Sequence, residues 1–312
     1  MEKIVIIWSW PAWHTAAIYT AKAMLNPLMF EWFMAWWIAA GWQLTTTTTI
    51  ENFPWFPDGI DWFHLMQNMR QQSINSWTRI ETKTVDKLDL SSSPFKVYIW
   101  TETIEANALI IATGATAKRM WLLWEASFWW RWVSACAICD WWLPMYRDQH
   151  ILVIWGGDAA MEEALHLTNF ASKVSIVVRR DELRASKVMQ KRVLNSPKIE
   201  ILRNIEPKEI VWENGGNMTW LKVFNNKTNE EFMVEAKGMF YAIGHKPNTN
   251  FLDGQLDLDE SWYIVTKPWT TQTSVPWVFA AWDVQDKKYR QAITSAGSGC
   301  MAALEAEKYL QK

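Results

Sequence analysis

Twice along the chain the sequence passes through one succession: a short apolar strand, a loop, a helix, a second apolar strand, and then charge. In the first copy Ile4-Val5-Ile6-Ile7 gives way to a loop from Trp8, a helix from Pro11 to Met24, and the strand Leu28-Met29-Phe30 ending in Glu31. In the second, Ile151-Leu152-Val153-Ile154 leads through the loop Trp155 to Ala160, a helix over Met161 to Phe170 and the strand Val174 to Val178. Arg179, Arg180 and Arg184 follow it. Two strands joined through a helix pair in parallel with a right-handed crossover, and a parallel sheet must be covered on both faces. The expectation is an α/β protein, and 312 residues leave room for two domains, one around each copy.

The remaining pattern is consistent with that frame. A helix is expected from about Asp61 to Ser73, then a small antiparallel excursion over Arg79 to Leu90 and Phe95 to Ile99. Ala108 to Ala112 reads as a buried strand that ends in the turn Thr113-Gly114. Met239 to His245 repeats that ending, and Val278 to Asp283 repeats it with Trp282 in place of the glycine. Ile199 to Leu202, Thr219 to Phe224 and Glu231 to Val234 are further strands, and Asn214 to Asn217 is a turn. The threonine run Thr45 to Thr49 reads as surface loop, and a last helix from about Gln291 to Leu310 carries Cys300 as a small buried residue.

A strand, loop, helix, strand and acid in this order is the layout that binds a dinucleotide, with the acid on a ribose hydroxyl. Glu31 holds that place in the first copy. Arginines hold it in the second, which suits a 2′-phosphate and so NADP in preference to NAD. Between the two copies lies Cys136-Ala137-Ile138-Cys139-Asp140. A Cys-x-x-Cys can close and open a small disulfide ring, and three cysteines are too few for a structural framework. A zinc site would need a second ligand pair, which Cys300 and five scattered histidines do not offer; a structural pair stays open as the alternative. Two dinucleotide units beside a dithiol call for a two-electron mediator, and a flavin meets that need. The formal charge of −2 argues against a nucleic-acid surface, and no apolar stretch is long enough to span a bilayer. The start, Met1-Glu2-Lys3 running straight into Ile4, lacks a secretory layout, so a cytoplasmic location is expected.

With these stand Gln43-Leu44-Thr45-Thr46, Ile50-Glu51-Asn52-Phe53-Pro54, Asp283-Val284-Gln285, Arg290-Gln291-Ala292 and Gly297-Ser298-Gly299-Cys300. In this order they resemble the low-molecular-weight thioredoxin reductases, NADPH-dependent flavoprotein disulfide reductases, over essentially the whole chain. The resemblance implies a homodimer of two Rossmann-like domains, an FAD domain over 1–118 and 249–312 with an NADPH domain over 119–248 inserted in it. Electrons would pass from NADPH through FAD to the Cys136/Cys139 disulfide and on to thioredoxin. By position, Cys139 would face the flavin, Cys136 would attack thioredoxin, and Asp140 would be the acid-base partner. Glu31, Gln43, Asn52, Asp283, Arg290, Gln291 and Ala292 would contact FAD; Gly156, Gly157, Asp158, Ala159, Arg179, Arg180 and Arg184 would serve NADPH. No metal is implied.

The chain departs from that family in one respect. It has 25 tryptophans against 12 glycines, and the family has glycine where this chain has Trp8, Trp10, Trp13, Trp42, Trp55, Trp141, Trp155 and Trp282. An indole in a fingerprint loop takes the room of the phosphates, and a bulky residue in a glycine turn is strained by ~1 to ~3 kcal/mol. The expectations are therefore a thioredoxin-disulfide reductase, a chain of the same family that cannot bind FAD, or a flavin-dependent disulfide oxidase, against which the arginines argue.

Overall fold

The computed structural model describes residues 1–7, 11–31, 49–129, 131–140, 144–213 and 216–311. Trp8, Trp10, Trp42, Gln43 and its neighbours, Trp141, Asn214 and Gly215 lie outside the described residues. The chain forms two compact units, Met1–Thr116 with Lys246–Lys312, and Ala117–His245.

The first unit opens with β1 (Glu2–Ile7), α1 (Pro11–Lys22), β2 (Leu28–Glu31), α2 (Trp62–Asn75), β3 (Arg79–Thr82), β4 (Lys87–Asp89), β5 (Phe95–Ile99) and β6 (Glu102–Ile111). The second unit contains β7 (Val133–Ser134), α3 (Ala137–Asp140), β8 (His150–Ile154), α4 (Asp158–Leu167), β9 (Lys173–Val178), α5 (Lys187–Leu194) and β10 (Ile199–Arg203). It continues through β11 (Ile205–Trp212), β12 (Met218–Asn225), β13 (Glu230–Glu235) and β14 (Gly238–Tyr241). The first unit is completed by β15 (Val278–Ala280) and α6 (Ala292–Leu310).

The first sheet runs β3-β2-β1-β6-β5-β4, with β15 also on β6. The pairs β1/β2, β1/β6, β2/β3 and β6/β15 are parallel, and β4/β5 and β5/β6 antiparallel. The expected antiparallel excursion is thus half right. Arg79–Thr82 instead joins β2 in the parallel part, with Leu28 beside Arg79, because α2 carries the chain back over the sheet before it. In the second unit β7-β14-β8-β9-β10 are all parallel, and β11-β12-β13 form a separate antiparallel sheet. The strand Ile205–Trp212 escaped the sequence reading; Pro207 interrupts its pattern and its register shifts there.

β1 explains why the strand reads as an unbroken apolar run. Ile4 and Ile6 face one cluster with Ala12, Ala16 and Ala17 of α1 and Ala302, Ala303 and Ala306 of α6. Val5 and Ile7 face the other, with Phe30, Leu88 and Val97. Both faces are dry, so alternation disappears. The two helices over the first face touch backbone to backbone: a Cβ on Gly299 would lie 1.8 Å from the carbonyl oxygen of Ala12. Trp13 is packed into this same cluster, 1% exposed, with its indole N–H buried and without an acceptor among the described residues. Cys300, on the next residue of α6, is half-buried where a buried residue was expected.

The tryptophans carry a backbone signature. Seventeen non-glycine residues in the described part have positive φ and ten of them are tryptophan, so these sites have the conformation of glycine turns. Trp55, Trp77, Trp100, Trp121 and Trp269 are all more than four-fifths exposed, so little packing offsets the left-handed backbone. For Trp269, with φ 63° and 97% exposure, Trp269→Gly is expected to stabilise the protein by about 1 kcal/mol, read as a higher urea midpoint.

Candidate active site

The cysteines sit where β7 runs out. Val133 and Ser134 are held against Met239 and Phe240 of β14, and the chain then turns into α3. Cys136 and Cys139 are joined as a disulfide, and the amides of Cys139 and Asp140 both donate to the carbonyl of Cys136, at 3.2 Å each. Both cysteines are half-buried, whereas Asp140 is 4% and Ser134 1% exposed. The Ser134 hydroxyl donates to Oδ2 of Asp140 at 2.5 Å. Tyr146 donates to the carbonyl of Arg131; burial, and then the Asp140 carboxylate, push its phenol well above the usual range. A reachable disulfide next to a buried carboxyl group is equipped for thiol–disulfide exchange with local proton transfer.

In the same unit β8 ends at Ile154 and the chain passes through Trp155 (φ 125°), Gly156 and Gly157 into α4. Helix α4 starts three residues before the expected Met161, because extended Gly157 serves as its N-cap, without a side-chain bond. Asp158 is turned aside and accepts the amide of Ser186 at 2.8 Å. The carbonyl of Gly156 accepts the amides of Arg184 and Ala185, and a Cβ on Gly156 would meet Val178 at 2.9 Å. Arg179, Arg180 and Arg184 are exposed beside the carboxyl end of β9. A helix N-terminus with exposed guanidinium groups suits a phosphate. The Trp155 indole, however, lies within 3.3 Å of where a Cβ on Gly157 would stand, with the Arg184 guanidinium 5.4 Å from its ring centre.

In the first unit Glu31 ends β2 with both carboxylate oxygens engaged: Arg70 donates at 2.8 and 3.0 Å and Thr82 at 2.7 Å. Burial raises its carboxyl, but the Arg70 and Thr82 hydrogen bonds outweigh that and hold it below the usual range. Asn52 donates to Gln291 at 3.1 Å, and Gln291 caps α6, whose first residue is Ala292. Asp283 is buried, and its carboxyl is pushed up to about 8 by burial, with Arg290 opposing and Asp286 adding. Gln43 lies outside the described residues. Sequence reasoning gave no role to Arg70 or Thr82, which reach Glu31 from 39 and 51 residues away and leave no local signal. Among the described residues no group of three or more His, Cys, Asp or Glu is placed to hold a metal ion, and no helix is long and apolar enough to cross a membrane.

The family described as pyridine nucleotide-disulphide oxidoreductase matches residues 2–299. The chain is 54% identical over 313 residues to thioredoxin reductase of Dictyostelium discoideum, covering 99% of this chain and 98% of that one. Thioredoxin reductase 1 of Saccharomyces cerevisiae is 54% identical over 315 residues, with the same coverage. The chain belongs to the thioredoxin reductase family. Among solved structures, thioredoxin reductase from Giardia duodenalis superposes with a TM-score of 0.89 at 40% identity, covering 99% of both chains. That from Streptococcus pyogenes gives 0.88 at 34% identity, over 99% of this chain and 97% of the other. The chain is accordingly an NADPH-dependent oxidoreductase of the pyridine nucleotide-disulphide class, and its family implies FAD and NADPH as cofactors.

The polar groups of both units fit such cofactors: carboxylate, amides and guanidinium in the first, helix N-terminus and three arginines in the second. The space is contested by indoles. Trp282 (φ 67°) is 5% exposed, and a Cβ on Gly114 would stand 2.4 Å from its ring. It therefore fills the carboxyl ends of β6 and β15, the edge at which parallel sheets bind nucleotides. Trp282→Gly is expected to tighten FAD binding, and Trp155→Gly NADP⁺ binding, each about tenfold, measured by titration calorimetry.

Asp283 gives a pH signature. Its folded value of about 8 lies above the ordinary 3.8, so the stability it contributes is complete below pH 3.8 and is lost as pH rises to 8. Urea midpoints of the wild type relative to Asp283→Asn are expected to fall across that interval.

Proposed function

We propose that the chain is a thioredoxin-disulfide reductase that receives electrons from NADPH, passes them through FAD to the Cys136–Cys139 disulfide, and reduces thioredoxin. The observation that carries the reading is the formed disulfide beside buried Asp140, in a chain matching thioredoxin reductases end to end. FAD, when bound, supplies two-electron transfer between a nicotinamide and a disulfide. In this reading Glu31, Gln43, Asn52, Asp283, Arg290, Gln291 and Ala292 hold FAD in the first unit. Gly156, Gly157, Asp158, Ala159, Arg179, Arg180 and Arg184 hold NADPH in the second. Cys139 accepts electrons, Cys136 attacks the disulfide of thioredoxin, and Asp140 holds or gives up the proton that the departing sulfur needs.

The working protein in this reading is a homodimer of the cytoplasm. Two relatives, from Kluyveromyces lactis and Arabidopsis thaliana, are named as mitochondrial, and fractionation of the source cells distinguishes the two locations.

A second reading, a family member that binds no flavin, is favoured by the Trp282 indole at the carboxyl edge of the first sheet. The absorption spectrum of the purified chain separates the two: a flavin band bleached by anaerobic NADPH supports the reductase, and a colourless, cooperatively folded protein supports the second. Flavin that is reduced by a dithiol substrate and reoxidised by oxygen, but untouched by NADPH, would mark an oxidase. For the reductase, Cys139→Ser is expected to lower NADPH oxidation with thioredoxin as acceptor by about 10³-fold or more, with flavin content unchanged.

A further inference from the structure

We infer that Ser134 is a positioning residue of the dithiol centre, acting through Asp140 and through the backbone of Cys136. The inference rests on the reading above, in which this disulfide opens and closes with Asp140 as its proton source. Ser134 is the last residue of β7 and is 1% exposed, so its hydroxyl is fixed by the sheet and not by solvent. That hydroxyl makes two contacts. It accepts the amide N–H of Cys136 at 3.0 Å and donates to Oδ2 of Asp140 at 2.5 Å.

The direction of both bonds follows from the number of protons. A serine hydroxyl has one proton and two lone pairs, whereas a backbone amide can only donate. Ser134 accepts from Cys136 and turns its single proton to Oδ2 of Asp140, which leaves Oδ1 as the oxygen that carries the acid's proton. At 4% exposure, a carboxylate oxygen deprived of a donor has little water to replace it. Ser134 thus sets the orientation of Asp140 and anchors the turn that carries both sulfurs, since the carbonyl of the same Cys136 takes the amides of Cys139 and Asp140.

The step it serves can be isolated from the flavin by using dithiothreitol. One thiolate of the reagent attacks a sulfur of the Cys136–Cys139 disulfide. The S–S bond breaks, and the electron pair leaves on the other cysteine, whose thiolate takes the proton carried by Asp140. The second thiolate of the reagent attacks the mixed disulfide, closing the oxidised ring and releasing the remaining cysteine, which takes a proton from water. Asp140 recovers its proton from water, so the protein gains two electrons and two protons in all, and the reagent is oxidised to its cyclic disulfide. Ser134 keeps the Asp140 carboxyl aimed for the first proton transfer.

The test is the rate of this reduction in the full chain, followed by alkylation and mass measurement across the neutral pH range. Wild type is compared with Ser134→Ala, Ser134→Thr, Asp140→Asn and the double variant Ser134→Ala/Asp140→Asn. Ser134→Ala is expected to slow reduction roughly tenfold and to change the pH profile in the same sense as Asp140→Asn. The double variant is expected to be slower than Asp140→Asn alone by clearly less than the factor Ser134→Ala causes in the wild type, because part of what Ser134 does passes through Asp140. Ser134→Thr, which keeps the hydroxyl, is expected to stay near wild type. A Ser134→Ala rate and profile equal to wild type would overturn the inference, as would full additivity in the double variant or a folded Ser134→Thr that behaves as Ser134→Ala. If Asp140→Asn itself matches wild type, the role of Asp140 falls and that of Ser134 with it. If Asp140→Asn is slow and Ser134→Ala is not, only the inference about Ser134 falls.

Discussion

Both units depend on parallel strands that have no wet face. Ile4 and Ile6 point to the α1–α6 side while Val5 and Ile7 point to Phe30, Leu88 and Val97, and in the second unit Ile151 and Val153 are closed over by Ala160, Met161 and Ala164 of α4. Such strands lose their backbone solvation completely and recover it only through the ladder, so the sheet and its covering helices form together or not at all. The backbone contact of Gly299 with Ala12 shows how tightly the cover fits. With both faces closed, the carboxyl ends of the strands are left to build chemistry, and Glu31, Gly114, Gly157 and Trp282 all lie at those ends or just past them.

The tryptophans stand out against this frame because they occupy a backbone made for another residue. Trp55, Trp155 and Trp282, three of the positions at which the resemblance implies glycine, all have positive φ, and so do seven further tryptophans. The fold keeps the glycine conformation and places the side chain wherever there is room. At the surface the result is strain with an indole in water, as at Trp269 and Trp100. At the carboxyl ends of the sheets the indole instead settles into the crevice. Trp282 lies against Gly114 and Trp155 against Gly157, so the indoles that strain these turns also take up room at the strand ends, where the proposed function would put the cofactors.

The dithiol centre follows a different logic. Its two cysteines are half-buried, while Ser134, Asp140 and Tyr146 around them are buried. Asp140 is tied to Ser134 at 2.5 Å, and Tyr146, buried nearby, has its phenol kept protonated. Burial fixes geometry and strengthens each hydrogen bond by excluding water, which an exposed carboxylate on a flexible loop could not achieve.

The sequence by itself determined the α/β class, the two strand–helix–strand units and the dithiol. Each is written in contiguous residues: apolar runs such as Ile151 to Ile154, a glycine pair before a helix, two cysteines one turn apart. The resemblance to the family, and no local pattern, marked the tryptophan positions as glycine-like. Tertiary structure alone decided that Arg79–Thr82 pairs in parallel with Leu28–Glu31, that Arg70 and Thr82 clamp Glu31, and that the Trp282 ring packs on Gly114. Even the Ser134–Asp140 bond, six residues apart, needed the fold to close it, because β7 must end against β14 before the chain turns back into α3. A local pattern states which faces must be buried. Which distant side chain arrives to meet them depends on how the covered sheets close, and that is a property of the packed whole.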